Sequence, residues 1–136
     1  MRFLILVKAS RESEAGEMPE PRVFEEMARY HEELAKAGVL LDGSGLKPTA
    51  TAWRVRWQDG RKQVVDGPFA ETKELVAGYT LIQTRTREEA VEWARRFPNP
   101  GNVDGEIEVR ELFELEDFGP EVAQRFGDLG MGRRGA

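Results

Sequence analysis

The chain has no cysteine and a single histidine, His31. The first absence excludes disulfide staples, thiolate zinc sites and a cysteine nucleophile. The second leaves any metal site to carboxylates, an oxygen set that suits neither zinc nor copper. Neither a metal nor a cofactor is expected. An excess of positive charge is missing as well: 20 basic residues against 25 acidic ones give a net charge of −5. Nucleic acid therefore meets no electrostatic footprint, and the longest basic cluster, Arg133-Arg134, is one pair in a glycine-rich tail. Long apolar runs are also lacking. The densest near the start, Phe3 to Val7, follows Arg2 as a signal peptide would, but it is too short for an h-region or a span. Lys8, Arg11 and Glu12 come next with no cleavage-like segment. The expectation is a cytoplasmic protein with neither nucleic acid nor membrane as partner.

Two further patterns are missing. No phosphate-cradling glycine loop follows a strand. Ser44, between Gly43 and Gly45, lacks both the G-x-S-x-G spacing and the following helix of a nucleophile elbow, so it has no nucleophilic role.

What is present fits one domain, with 136 residues enough for a core that needs no staples. Phe3-Leu4-Ile5-Leu6-Val7 reads as a strand covered on both faces. After a polar loop, Pro21 suits the first turn of a helix whose stripe is Phe24, Met27, His31 and Leu34, with Ala28 and Ala35 beside it. Gly38 ends it in a left-handed cap. Val39 to Leu41 begins a second strand, broken up by Gly43 and Gly45. Trp53-Arg54-Val55-Arg56-Trp57 alternates strictly, Asp59-Gly60 signals a hairpin turn, and Gln63-Val64-Val65 returns. Leu75 to Ile82 is apolar on both faces, as a central strand is, and Gly78 within it marks a bulge or a close backbone approach. Thr86 and Glu89 form a capping box for a helix with the stripe Ala90, Trp93, Ala94 and Phe97, stopped by Pro98 and Pro100. Ile107 and Val109 share a face of a last strand. Pro120 opens a short helix with Val122, Phe126 and Leu129, and the tail from Gly130 is expected to be flexible.

That order gives an α+β fold: a ferredoxin-like antiparallel sheet with two helices on one face. The other face needs a cover, and Trp53, Val55 and Trp57 add apolar area that a monomer leaves exposed. A second copy is the natural cover, so a homodimer is expected.

The segment Asp66-Gly67-Pro68-Phe69-Ala70-Glu71-Thr72-Lys73-Glu74 resembles the signature of the DGPF family, part of the wider YCII-related group. Glu32-Glu33-Leu34 through Leu41, Gly43-Ser44-Gly45-Leu46, Ala77-Gly78-Tyr79, Glu92-Trp93-Ala94, Pro98-Asn99-Pro100, Glu106 to Arg110 and Glu116-Asp117-Phe118-Gly119 fit it too. The resemblance spans residues 1–119 as one domain, leaving 120–136 as a short helix and flexible tail. It implies a dimeric α+β barrel and no settled activity. Relatives encoded beside extracytoplasmic-function sigma factors imply a regulatory alternative.

His31 is the sharpest candidate for chemistry. On the helix stripe it could be a general base oriented by a carboxylate, or a core histidine satisfied by backbone or water. YCII-like proteins share a proposed His–Asp pair, and His31 lies in the matching helix. Their aspartate after the second helix has no equivalent here, where Arg95, Arg96 and Phe97 stand, so a pair must recruit Asp66 or a glutamate. Asp66 could pair with His31 or cap the turn at Gly67-Pro68 through backbone N–H groups. Glu71, Thr72 and Lys73, with Glu74, are a solvated loop or a polar cleft edge that binds ligand. Trp53, Trp57 and Trp93 read as core and interface. Three functions follow. The first is a small-molecule-binding barrel with cofactor-independent acid–base chemistry. The second is a non-catalytic regulatory or protein-interaction module tied to sigma-factor signalling. The third, haem binding through the lone histidine, is known among barrels of this architecture, but nothing else in the chain marks a haem pocket.

Overall fold

A computed structural model describes residues 1–101 and 104–132 of the chain. The Arg133-Arg134 pair and the end of the tail lie outside the described residues. Four strands form the main sheet: β1 (Arg2–Lys8), β2 (Leu40–Gly45), β5 (Val76–Gln83) and β6 (Ile107–Glu111). Their order is β2-β5-β1-β6, and every neighbouring pair is antiparallel. The helices are the four-residue α1 (Arg11–Glu14), α2 (Pro21–Lys36), α3 (Arg87–Arg95) and α4 (Pro120–Asp128). Strand, helix, strand, then strand, helix, strand around an antiparallel sheet is the ferredoxin-like arrangement, in an α+β fold.

The local signals act as their chemistry requires. Pro21 opens α2, and Gly38, at φ +73°, turns the chain so that the Val39 N–H bonds back to the Leu34 carbonyl. The Thr86 hydroxyl accepts from the Glu89 N–H at 3.1 Å, although the Glu89 carboxylate returns to the N–H of Arg85 and not to that of Thr86. Gly78 is the close approach that its place in a central strand suggests, since a Cβ there would lie 3.0 Å from the Ser44 carbonyl oxygen on β2. Gly43 and Gly45 do not break up β2. They lie within it, and the strand is shifted by an irregularity between Leu40 and Asp42.

The core lies between α2, α3 and one face of the sheet. Phe3 and Ile5 of β1, Ile82 of β5, Tyr30 and Leu34 of α2, Val39 and Ala90 close on one another, with Trp93, Phe97, Ile107 and Val109 packed around them. The buried stripe of α2 is rotated from the expected one. Val23, Tyr30 and Leu34 are buried, Phe24, Ala28 and Ala35 are exposed, and His31 is half-buried at the stripe's edge. Tyr30, whose hydroxyl finds a carbonyl, brings more ring area to the core than the small alanines could. Arg2 is buried as well. It ties the start of β1 to the segment after β6 through a two-pronged ion pair with Glu114, at 3.2 and 3.3 Å, and through the Phe113 carbonyl.

The hairpin is where the structure departs most from expectation. β3 (Trp53–Gln58) and β4 (Arg61–Asp66) form a two-stranded sheet of their own, joined through Asp59 and Gly60 at φ +53° and +74°. Trp53, Val55 and Trp57 therefore do not lie on the main sheet. They share one face of this ribbon with Val64, and the two indoles are 65% and 69% exposed.

Leu34 has no exposed surface and sits where α2 meets β1 and β5. Leu34→Ala should lower stability by about 2–5 kcal/mol, from lost transfer energy and the cavity left behind. Urea unfolding that shows a loss under about 1 kcal/mol would mean that the helix–sheet contact is not the organising one.

Candidate functional site

His31 sits nearly three turns into α2, facing β5. Its Nδ1 lies 2.7 Å from the Met27 carbonyl oxygen one turn earlier, and its Nε2 lies 2.8 Å from Thr80 Oγ1. A carbonyl only accepts, so Nδ1 carries the proton and donates to Met27. In the neutral ring Nε2 is then the acceptor, and the Thr80 hydroxyl donates to it. Should Nε2 gain a proton, it donates to Thr80 Oγ1, and the Thr80 hydroxyl must then turn its own proton elsewhere. The ring is held edge-on by Tyr30 and Phe97, at centroid distances of 5.6 and 6.2 Å.

Thr80 faces the helices because the strand alternates: Thr80 and Ile82 turn inward while Tyr79 and Leu81 turn outward. Only 2% of Thr80 is exposed, so its hydroxyl needs a partner, and the imidazole is that partner. Across the ladder Thr80 pairs with Gly43 on the edge strand β2. A Cβ on Gly43 would lie 3.8 Å from both His31 Nε2 and Thr80 Oγ1, and one on Gly45 would meet nothing within 4 Å. The edge of the sheet is thus bare of side chains where it passes the imidazole. A bulky residue at position 43 would fill the approach to Nε2.

Tyr30, beside His31, donates its phenol proton to the Trp93 carbonyl at 2.6 Å. Burial pushes its pKa up from 10.0 to about 12, with the Arg96 charge opposing the rise and Glu33 adding to it. The phenol is thereby kept neutral next to the imidazole.

The other expected site residues are elsewhere. Asp66 ends β4 opposite Trp53 and is exposed. The His31–Asp66 pair is not made, because both ring nitrogens are engaged by Met27 and Thr80. Nor does the Asp66 carboxylate cap the turn at Gly67-Pro68. The Gly67 N–H goes to the Ala52 carbonyl, and the Phe69 N–H goes to Thr49 Oγ1 at 3.1 Å. Thr49 is held in turn by Glu14, whose carboxylate accepts from the Thr49 hydroxyl at 2.6 Å and from its backbone N–H at 3.1 Å. Gly67 is required there, since a Cβ would overlap the Thr49 carbonyl. Glu71, at φ +62°, and the single 3-10 turn Thr72–Glu74 link the hairpin to β5. Glu71 and Lys73 are exposed and Thr72 is half-buried. Sequence reasoning missed Thr80 and Gly43. The available signal was a lone hydroxyl on the inward phase of an otherwise apolar strand.

The profile of the YCII-related domain matches residues 1–116. An uncharacterised protein of Rhizobium meliloti (strain 1021) is 37% identical over 91 residues, covering 67% of this chain and 73% of that protein. Among solved structures, the 5-chloro-2-hydroxyhydroquinone dehydrochlorinase TftG from Burkholderia phenoliruptrix AC1100, in complex with 2,5-dihydroxybenzoquinone, aligns over 84% of this chain and 95% of that one. The TM-score is 0.44 and the identity 12%.

Two outcomes follow from this geometry. Nitrogen shifts of the single imidazole should show the Nδ1–H tautomer when the ring is neutral. Thr80→Val should move the Nε2 resonance by several ppm while Asp66→Asn leaves it in place. The reverse pattern would restore the aspartate as the partner. Tyr30 gives a pH signature: a phenol whose folded pKa is raised contributes stability that is complete below pH 10 and lost as pH climbs toward about 12. Unfolding measured across that window should be less pH-dependent in Tyr30→Phe than in the parent.

Proposed function

Because the chain belongs to the YCII-related domain family, we propose that it binds a small organic molecule at the bare edge of β2, as a homodimer, with His31 Nε2 as its acid–base group. The observation that carries this is the fixed tautomer. With Nδ1 committed to the Met27 carbonyl, the lone pair of Nε2 has one orientation, next to the Thr80 hydroxyl and in front of Gly43. A ligand hydroxyl or an acidic C–H that reaches past Gly43 would meet this lone pair once the Thr80 hydroxyl turns its own proton away, since Thr80 otherwise occupies it, while the Met27 bond holds the ring in place.

The chemistry asked of the site is modest. A proton moves from the ligand to Nε2, the ring becomes a cation bonded to Met27 and Thr80, and the proton returns at another atom of the ligand. Such transfer is worth about 10²–10⁴ in rate when well positioned. No carboxylate bonds the ring among the described residues, so the negative charge left on the ligand would be met by the imidazolium itself.

The dimer is supported by two uncovered surfaces. Leu4, Leu6, Tyr79 and Leu81 face away from the helices and are half-buried. The ribbon's indoles and Val64 are exposed. Contiguous apolar area of this kind marks interfaces more often than free surface.

A screen of small hydroxylated and carbonyl compounds, followed by NMR of the imidazole carbons and the Thr80 methyl, tests the ligand half. Binders should shift those resonances, and deuterium exchange into a bound ligand's acidic C–H should fall about 10²-fold or more in His31→Gln. Binders that perturb only distant residues, or exchange that is unchanged in His31→Gln, would refute it.

A further inference from the structure

Two parts of the chain bury too little to be stable where they are. The β3–β4 ribbon is a lone two-stranded hairpin, which is marginal in water without a third strand or a helix against it. Its face carries Trp53, Val55, Trp57 and Val64, with Val55 directly opposite Val64. Helix α4 has nine residues, below the length at which an isolated helix holds together. It packs mainly on the 3-10 turn just before it, at Leu115–Phe118. Val122, Phe126 and Leu129 recur along it at intervals of four and three and are all exposed, Leu129 to 73%. Each element presents an apolar stripe of about the same length, and neither covers the other within the described chain.

The two segments also carry opposite net charge, an attraction that acts over their whole length. From Trp53 to Asp66 the cations Arg54, Arg56, Arg61 and Lys62 outnumber Asp59 and Asp66, for a net charge of +2, with Lys62 on the tryptophan face opposite Trp57 and Arg54, Arg56 and Arg61 on the reverse face. From Glu114 to Asp128 there are five carboxylates and only Arg125, for a net charge of −4. Setting aside Glu114, which is bonded to Arg2, leaves −3. The ribbon is also anchored at its base, where the Arg54 guanidinium lies 3.8 Å over the Phe69 ring and the Glu14–Thr49–Phe69 bonds fix the exit turn. An exposed arm on a fixed base suits a partner in a set position. The domain match ends at residue 116, so α4 lies outside the matched residues.

We infer that in the dimer α4 of each copy seats its Val122–Phe126–Leu129 stripe on the tryptophan face of the other copy's hairpin. The inference rests on the dimer proposed above and adds a reciprocal contact, one helix on one ribbon on either side of the two-fold axis. The same patch on both subunits closes the assembly without leaving an edge for further addition. It also gives the two-stranded ribbon the packed helix that such a hairpin needs for stability.

Hydrogen exchange on the full chain tests it. Above the dimer concentration the amides of Arg54 to Val65 should be protected, and in Phe126→Asp/Leu129→Ser their rates should rise at least tenfold. Sedimentation should show dimer affinity weakened by a similar factor. Both substituted side chains are exposed, and protection of core amides in β1 and β5 will confirm that the variant is folded. Reciprocally, Trp57→Lys should speed exchange across α4. A dimeric parent whose hairpin exchanges alike with and without the α4 substitutions would overturn this contact and leave the dimer intact, the hairpin being covered instead by its own copy in the partner. Protection that appears only on adding duplex DNA would give the ribbon to nucleic acid and also overturn it. A parent that is monomeric at micromolar concentration removes both the contact and the dimer.

Discussion

Leu34, Ile5 and Ile82 meet with no solvent between them, and that contact sets the position of everything else in the molecule. It joins the long helix to the two central strands. Once Leu34 is seated, the 3.6-residue repeat places Tyr30 one turn back against Trp93 and Phe97 of the α3 region, and His31 one step to the side, over Thr80. The strand period does the complementary work: with Ile82 inward, Thr80 and Gly78 must be inward too. The imidazole and the hydroxyl are brought together by two periodicities locked at one apolar point.

The polar groups near that core are satisfied in a way that leaves one of them useful. Tyr30 and Nδ1 of His31 both give their protons to carbonyls, which fixes them as structural donors. Nε2 is different. Its partner is a hydroxyl, which can accept as readily as donate, and the strand in front of it has glycine where a side chain would shut it in. The same residue is thus a core histidine by its first nitrogen and, in the function proposed above, an acid–base group by its second.

Regions far from the core contact are held by shorter-range chemistry or leave their apolar faces exposed. Arg2 and Glu114 fasten the two ends of the domain, with the ion pair mostly out of water and doubly bonded. Glu14 and Thr49 fasten the hairpin's base. The ribbon and α4 have no such anchor along their apolar faces. Their exposed tryptophan, phenylalanine and leucine side chains are a cost in a monomer that burial against a second copy would remove.

Much of this was legible in the residues alone. Pro21, Gly38, Asp59-Gly60, Thr86 and the strict alternation around Trp53 report local preferences, and local preferences survive in the fold because they act over four residues or fewer. The order of strands and helices followed from those signals, and with it the ferredoxin-like sheet. The rotation of the α2 stripe was not legible, because Phe24 and Tyr30 both suit a helix face and only the volume opposite decides between them. Nor was the separation of the hairpin, since an alternating strand reads the same in a large sheet and in a lone ribbon. The partner of His31 was the largest gap. Thr80 is 49 residues away and reaches the ring only through the pairing of β5 and the seating of Leu34, whereas Asp66 stood out by its motif and ended on the far ribbon. The sequence by itself determined which segments are helix or strand and where they turn, because those choices depend on neighbours along the chain. Only the tertiary structure decided which polar group the imidazole meets, because that depends on a register set between elements that the chain brings together from a distance.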